Sequence, residues 1–293
     1  MPMTISVPPT CRGFTLVELL TVVGIIGLLV AILMPTLGSV RQAARASVCL
    51  SNLRQISLGW SMYLQESGGR LPYHIWKNSD PAATDEKNAQ VAWSGYWIGI
   101  VSAYRVPTSR LLCPEASEPV TGRDGFGLSN QAWNGAANVP GTPLWFSEPA
   151  TTLDPGTSVP KPGLYRTGSY GMNWTLTRSK SSLKYRWPRQ VSAIKEATVV
   201  PVFFDSVWVD VGLSGEFPVT TFPPDLSGAA ALGSDEDAWR LFIRRHDRAI
   251  NMTFIDGHAE RLALTDTLNV QWCPDWKRTV LQYGTSPSQL PSR

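Results

Sequence analysis

GFTLVELLTVVGIIGLLVAILM, residues 13–34, decides how the rest of the chain is read. Between Phe14 and Met34 the only charge is Glu18. That is about 21 residues at about 1.5 Å each, or about 32 Å, enough to cross the hydrocarbon core of a bilayer. A secretory signal has a shorter apolar region followed by a small-residue cleavage site. No Ala-x-Ala-like site follows this run, and the expected cut lies before it, after Gly13. Glu18 is the physical oddity. A carboxylate in a membrane helix costs about 2.5–3.5 kcal/mol on insertion scales, so it needs a partner. A cut between Gly13 and Phe14 would create an α-amine one helical turn from Glu18, on the same chain or a neighbouring one.

The segment Gly13-Phe14-Thr15-Leu16-Val17-Glu18-Leu19-Leu20 resembles the N-terminal methylation motif of type IV pilins and type II secretion pseudopilins. The resemblance implies that a prepilin peptidase cuts after Gly13 and methylates Phe14. It implies that Glu18 guides the stacking of subunits into a fibre. Pro35 resembles the proline that closes the family's first helical segment, where its missing N–H loosens and kinks the helix. The implied location is the bacterial inner membrane, crossed once, with residues 1–13 as a cytoplasmic leader and the head in the periplasm. Charge counting points the other way, with Arg12 before the span and Arg41, Arg45 and Arg54 after it. The family's orientation is preferred, because the peptidase needs the leader on the cytoplasmic side.

Composition limits the partners. The net charge of +3 falls to +2 once Arg12 is removed with the leader, too weak a balance to argue for nucleic acid. Beyond the helix some 228 residues remain, ample for one globular head. All 12 Trp lie at or after Trp60, as core anchors or as a binding face.

The four cysteines are Cys11, Cys49, Cys113 and Cys273, and processing would discard Cys11. An oxidising compartment permits one disulfide and one thiol among the other three. Cys49 with Cys113 is the preferred pair. Cys113 with Cys273, or three buried thiols, remain open. The absence of CxxC or paired-His spacing argues against a zinc site.

After Pro35, helix formers return from residue 36 to about 65. Cys49, Leu53, Ile56, Trp60 and Tyr63 recur at spacings of three and four, marking one apolar face that should pack under the head. Arg41, Arg45, Asn52 and Gln55 fall largely elsewhere. Gly68-Gly69 is the expected stop. Residues 92–104 carry apolar and aromatic side chains at helical spacing. Residues 114–167 are rich in Gly, Pro, Ser and Thr and read as loops. Residues 169–174 and 198–204 read as strands, the second ending at Asp205. Residues 211–233 read as a Gly/Pro-rich surface insertion. Ser234 with Asp235, Glu236 and Asp237 reads as a helix N-terminus rather than a calcium site, with Arg240, Arg244 and Arg245 near its end and Trp239, Phe242 and Ile243 facing the core.

Residues 249–255 alternate Ile250, Met252 and Phe254 with Asn251, Thr253 and Ile255. Asp256-Gly257 then predicts a two-residue type I′ turn into a second strand over 258–264. His246, nine residues and then Asp256-Gly257 resemble the processing-associated H-X9-DG signature of a large family of prepilin-like proteins prominent in planctomycete-type genomes. Residues 49–56, the Leu-Leu-Cys-Pro at 111–114, the Ser-Tyr-Gly-Met-Asn run at 169–173 and Phe204-Asp205-Ser206 agree with that resemblance. The middle loops do not take part in it.

The expected fold is α+β, a long N-terminal helix on a small antiparallel sheet, as in pilins. The expected parts are a leader at 1–13, a transmembrane helix at 14–34, a stalk at 35–66 and a head at 67–293 with a hairpin at 246–264. The implied function is that of a structural pseudopilin-like subunit, with prepilin peptidase, other pseudopilins, the inner-membrane assembly platform and lipid as partners. The alternative is an anchored or fibre-tip module that binds carbohydrate or protein through Trp-rich loops. A third reading places a base or metal site at Asp205, His246 and Asp256, although no nucleophile motif, phosphate loop or metal quartet is present. Analogy with major pseudopilins implies calcium in the head, but no ligand spacing here supports it.

Overall fold

The computed structural model describes residues 15–72, 97–117, 127–134, 151–153, 160–162, 167–177, 187–214, 223, 226–231 and 237–278. The fold is α+β. Helix α1, Leu16–Glu66, runs without interruption through position 35. It stops where expected, because Gly68 and Gly69 adopt φ of 65° and 76°, a region that costs glycine little. Their N–H groups bond back to Gln65 and Leu64, satisfying carbonyls at the helix end.

The chain divides into two compact units, Met1–Ala44 and Arg45–Arg293. In the first, the large apolar side chains of Leu16–Met34 are all exposed. By length and composition this is the one helix among the described residues that is able to cross a membrane.

The second unit is built on a five-stranded sheet. Its strands are β1 (Tyr170–Asn173), β2 (Pro201–Asp205), β3 (Asp210–Val211), β4 (Ala249–Phe254) and β5 (Ala259–Ala263). The order is β3-β1-β2-β4-β5. The pairs β1/β2, β2/β4 and β4/β5 are antiparallel. The pair β1/β3 is parallel, so the sheet is mixed rather than antiparallel throughout. The cause is topological. After β2 the chain reverses through residues 206–209, so β3 runs against β2 and therefore along β1.

Strand alternation gives this sheet two apolar faces. Phe203 joins a cluster with Cys49, Leu53, Ile56 and Trp60 of α1, and with Trp97, Ile100 and Val101 of a short helix, α2 (Trp97–Ala103). Phe203 lies edge-on to Trp60 at 5.7 Å and tilted against Trp97 at 5.1 Å. Phe204 points to the other face, with Ile250, Met252, Phe254, Phe242 and Trp272. Both faces being covered, β2 and β4 are buried along their whole length.

Three sequence expectations differ from the structure. Asn52 sits on the packed face of α1, 2% exposed, because its amide is absorbed by polar groups described below. Of the expected surface insertion at 211–233, Val211, Leu213, Leu226 and Ala231 instead join the second core cluster, and 215–222, 224–225 and 232–233 lie outside the described residues. Gly212 permits this approach, as a Cβ there would lie 1.8 Å from Trp174 Nε1. The element near Ser234 is described only as a 3₁₀ turn, Asp237–Arg240, and residues 232–236 lie outside the described set. Tertiary bonds use its polar groups: Asp237 accepts from Trp174 Nε1 and Gly212 N–H, and the Arg240 carbonyl accepts from Val207 N–H. Phe242 and Ile243 are buried and the half-buried Trp239 packs against the same cluster, so all three face the core as expected.

Candidate functional site

Among the described residues two places carry chemistry, the start of α1 and a polar cluster inside the second unit.

At the helix start, Thr15 and Glu18 cap each other. Glu18 Oε2 accepts from the Thr15 N–H at 2.8 Å and from its hydroxyl at 2.9 Å. The Glu18 N–H in turn donates to Thr15 Oγ1 at 3.3 Å. This is the reciprocal capping box of a Thr-x-x-Glu sequence. It supplies the carboxylate with a partner inside its own chain and satisfies donors that α1 leaves open. Gly13 and Phe14, the cleavage and methylation pair, lie outside the described residues.

In the second unit, Cys49 of α1 and Cys113 are joined by a disulfide with Cα atoms 5.1 Å apart. Cys273 lies outside it, buried in the second core cluster. His246 Nε2 is 3.5 Å from Cys113 Sγ and 3.3 Å from Asp205 Oδ2. The same Oδ2 accepts the Asn251 N–H at 2.7 Å. Asp205, His246, Cys49 and Cys113 are all fully buried. Among the described residues His246 Nδ1 and Asp205 Oδ1 have no hydrogen-bond partner.

Arg245 completes the charge balance. It is 2% exposed and donates to the carbonyls of Leu128, Ser129, Ser169 and Ser206, tying three separate segments together. Its Nη1 lies 3.8 Å from Asp205 Oδ1, too far for a hydrogen bond but close enough for strong attraction in a dry interior. Burial alone would raise the Asp205 pKa, yet His246, Arg245 and the Asn251 N–H together hold it below its ordinary value. Burial lowers the Arg245 pKa, against the pull of Asp205. Beside them Asn52 donates to the Leu112 carbonyl at 3.0 Å and accepts from Arg110 at 3.2 Å. Its amide also lies 3.4 Å from the Tyr170 hydroxyl, whose pKa burial pushes far up. The sequence reading missed Arg245, Asn52 and Tyr170 as members of this cluster. The one local signal was Arg245 directly beside His246, shortly before a strand.

Asp205 and His246 therefore meet, and Asp256 does not join them. Asp256 sits at the exposed hairpin tip, accepting the His258 N–H at 3.1 Å and contacting His258 Nδ1 at 2.6 Å. The His258 ring stacks on Phe254 at 4.3 Å. The turn also differs from expectation. Gly257 N–H bonds to the Phe254 carbonyl and Phe254 N–H to the His258 carbonyl. Of the turn residues only Gly257 has positive φ, 90°. Ile255 and Asp256 are thus the central residues of a four-residue turn, with Gly257 as a left-handed bulge residue, rather than a type I′ pair. The longer loop lets His258 fold back onto Phe254. Just after His246, Asp247 and Arg248 also adopt positive φ, 51° and 55°, a strained path for two side-chain-bearing residues.

The described Trp residues are core or half-buried, and none is exposed. Trp76, Trp93 and Trp145 lie outside the described set.

Residues 9–34 match the family described as the prokaryotic N-terminal methylation motif. The chain thus carries a prepilin-type N-terminus, which implies processing by prepilin peptidase and assembly with other pilins. Together with the apolar helix, the motif fits a single-pass, membrane-anchored protein. No curated protein and no solved structure matches the chain.

Proposed function

We propose that this protein is a pseudopilin-like subunit, cut after Gly13, methylated on Phe14, and assembled into a fibre of a type II secretion or type IV pilus-like machine. The observation that carries the reading is the methylation-motif match over residues 9–34, on a helix that continues unbroken to Glu66. On this reading residues 14–34 hold the subunit in the inner membrane until extraction, with the head on the periplasmic side. Residues 35–66 form the stalk and residues 67–293 the head. Pro35 is a place for the helix to loosen in the fibre. The His246 to Gly257 spacing supports membership of the H-X9-DG prepilin-like group. Glu18 registers each subunit against the next. The cap on Thr15 is its resting partner, and the new α-amine at Phe14 competes for the same carboxylate once the leader is gone. Partners are the prepilin peptidase, sister subunits and the assembly platform.

The test is intact-mass and N-terminal analysis of the membrane-extracted chain, beside a prepilin peptidase knockout. The expected product starts at methylated Phe14 and is missing from the knockout. A chain starting at Met1 in both strains would overturn the proposal.

A further inference from the structure

Cys49, Cys113, Asp205 and His246 come from four separate segments, yet their potential ligand atoms all lie within 4.8 Å of one another. We propose that, with the disulfide reduced, these four side chains form a buried site for one divalent ion of the zinc class, so that the head has two mutually exclusive closures: disulfide or metal.

The donor set is suited to such an ion. Two thiolates, an imidazole and a carboxylate are ligands zinc accepts, in a tetrahedron. With bond lengths of about 2.0–2.3 Å, such a tetrahedron has edges of about 3.3–3.8 Å. The His246 Nε2 to Asp205 Oδ2 separation of 3.3 Å and the His246 Nε2 to Cys113 Sγ separation of 3.5 Å already have that size. One imidazole nitrogen thus faces both other donor types, the arrangement a shared central ion requires. Of the other four edges, the sulfur–sulfur edge has to lengthen, which reduction permits, and the remaining three are no longer than 4.8 Å.

Charge and hydrogen bonding agree. In the disulfide state the buried charges of Asp205 and Arg245 oppose each other. Exchanging a disulfide for two thiolates and one divalent cation adds no net charge to this interior, so the large penalty for burying an unpaired ion does not arise. The Asn251 N–H on Asp205 Oδ2 would orient the carboxylate as an outer-shell partner does in metal sites. Asp205 Oδ1, fully buried and lacking a hydrogen bond, is a second available lone-pair donor within the cluster.

A dithiol reductant transfers two electrons and two protons to the Cys49–Cys113 bond and itself becomes a disulfide. The ion then displaces both thiol protons to solvent, and His246 Nε2 and Asp205 supply lone pairs. Exchange with an external disulfide takes two electrons from the two thiolates, re-forms the Cys49–Cys113 bond, converts the oxidant to a dithiol with two protons drawn from solvent, and releases the ion.

The experiment uses the full chain in detergent, prepared oxidised and, without oxygen, reduced, with cobalt(II) as the optical probe and zinc(II) as competitor. The reduced chain is expected to bind one equivalent of cobalt, with thiolate-to-cobalt charge-transfer absorption and a tetrahedral ligand-field band that zinc abolishes. The oxidised chain is expected to bind none. Cys273→Ser should retain the signal. Cys113→Ser should lose the charge-transfer band, and His246→Ala should weaken binding at least tenfold. Should reduction unfold the head, zinc is expected to restore its near-ultraviolet circular dichroism, because binding energy at such a site is folding energy. A reduced chain that shows no charge-transfer band, one that stays unfolded in excess zinc, or a signal that depends on Cys273 instead would each overturn the proposal.

Discussion

At the residue scale the most consequential side chain is Asp205. It ends β2, takes the Asn251 N–H, faces His246 and Arg245, and has no access to solvent. Its depressed pKa has a definite thermodynamic sign. The unfolded chain takes up the proton first, so the stabilisation from the ionised carboxylate is fully present above the ordinary aspartate value of about 3.9 and is lost as pH falls through the lower folded value. Asp205→Asn should therefore remove that acid limb from a plot of melting temperature against pH. It should also lower stability at neutral pH by about 3–5 kcal/mol, because Arg245 keeps its charge in the interior without a counter-ion. A variant with the wild-type acid limb would show that another group controls it. Glu18 belongs to the same scale. Glu18→Ala should leave insertion into the membrane intact, since the apolar run remains, and should frustrate co-assembly with sister subunits. Co-purification of tagged partner subunits with the variant measures this, and wild-type recovery would refute the assigned role.

At the scale of elements, α1 and the β4–β5 hairpin show how local patterns translate. The spacing of Cys49, Leu53, Ile56 and Trp60 was readable as one face, and those four are all buried. Asn52 was assigned away from that face, since polarity is the local signal for exposure and only Leu112, Arg110 and Tyr170 explain its burial. The hairpin was legible as a hairpin, from alternating residues around Asp256-Gly257. Its turn type was not, because the stacking of His258 on Phe254 and its contact with Asp256 favour the longer loop. In that loop the demand for positive φ falls on Gly257 alone. Gly257→Ala should cost about 1 kcal/mol through the left-handed backbone, and Asp256→Ala less, in thermal or urea unfolding. Equal losses at both positions would restore the type I′ description.

For the whole molecule, the disulfide is the cross-link to test, within the unit that runs from Arg45 to Arg293. Cys49 and Cys113 are 64 residues apart in sequence. Closing a loop of that size restricts the unfolded chain by about 4 kcal/mol in the chain-entropy account. Cys49→Ser with Cys113→Ser, measured without added metal, should therefore destabilise the head by about 2–4 kcal/mol in denaturant unfolding. A change under about 0.5 kcal/mol would mean that residual structure in the unfolded chain already imposes the same restriction.

What the sequence determined by itself was whatever depends on neighbours along the chain. The apolar run, the 3.6-residue stripe of α1, the glycine stop and the alternation of β4 are all local patterns, and each is set by backbone geometry at short range. Tertiary structure alone decided which distant polar groups share an interior. Cys113, Asp205, Arg245 and His246 carry no spacing that announces a cluster. They converge because β2 sits at the centre of the sheet with α1 across one face, and because buried charges and donors lower their free energy only by finding one another.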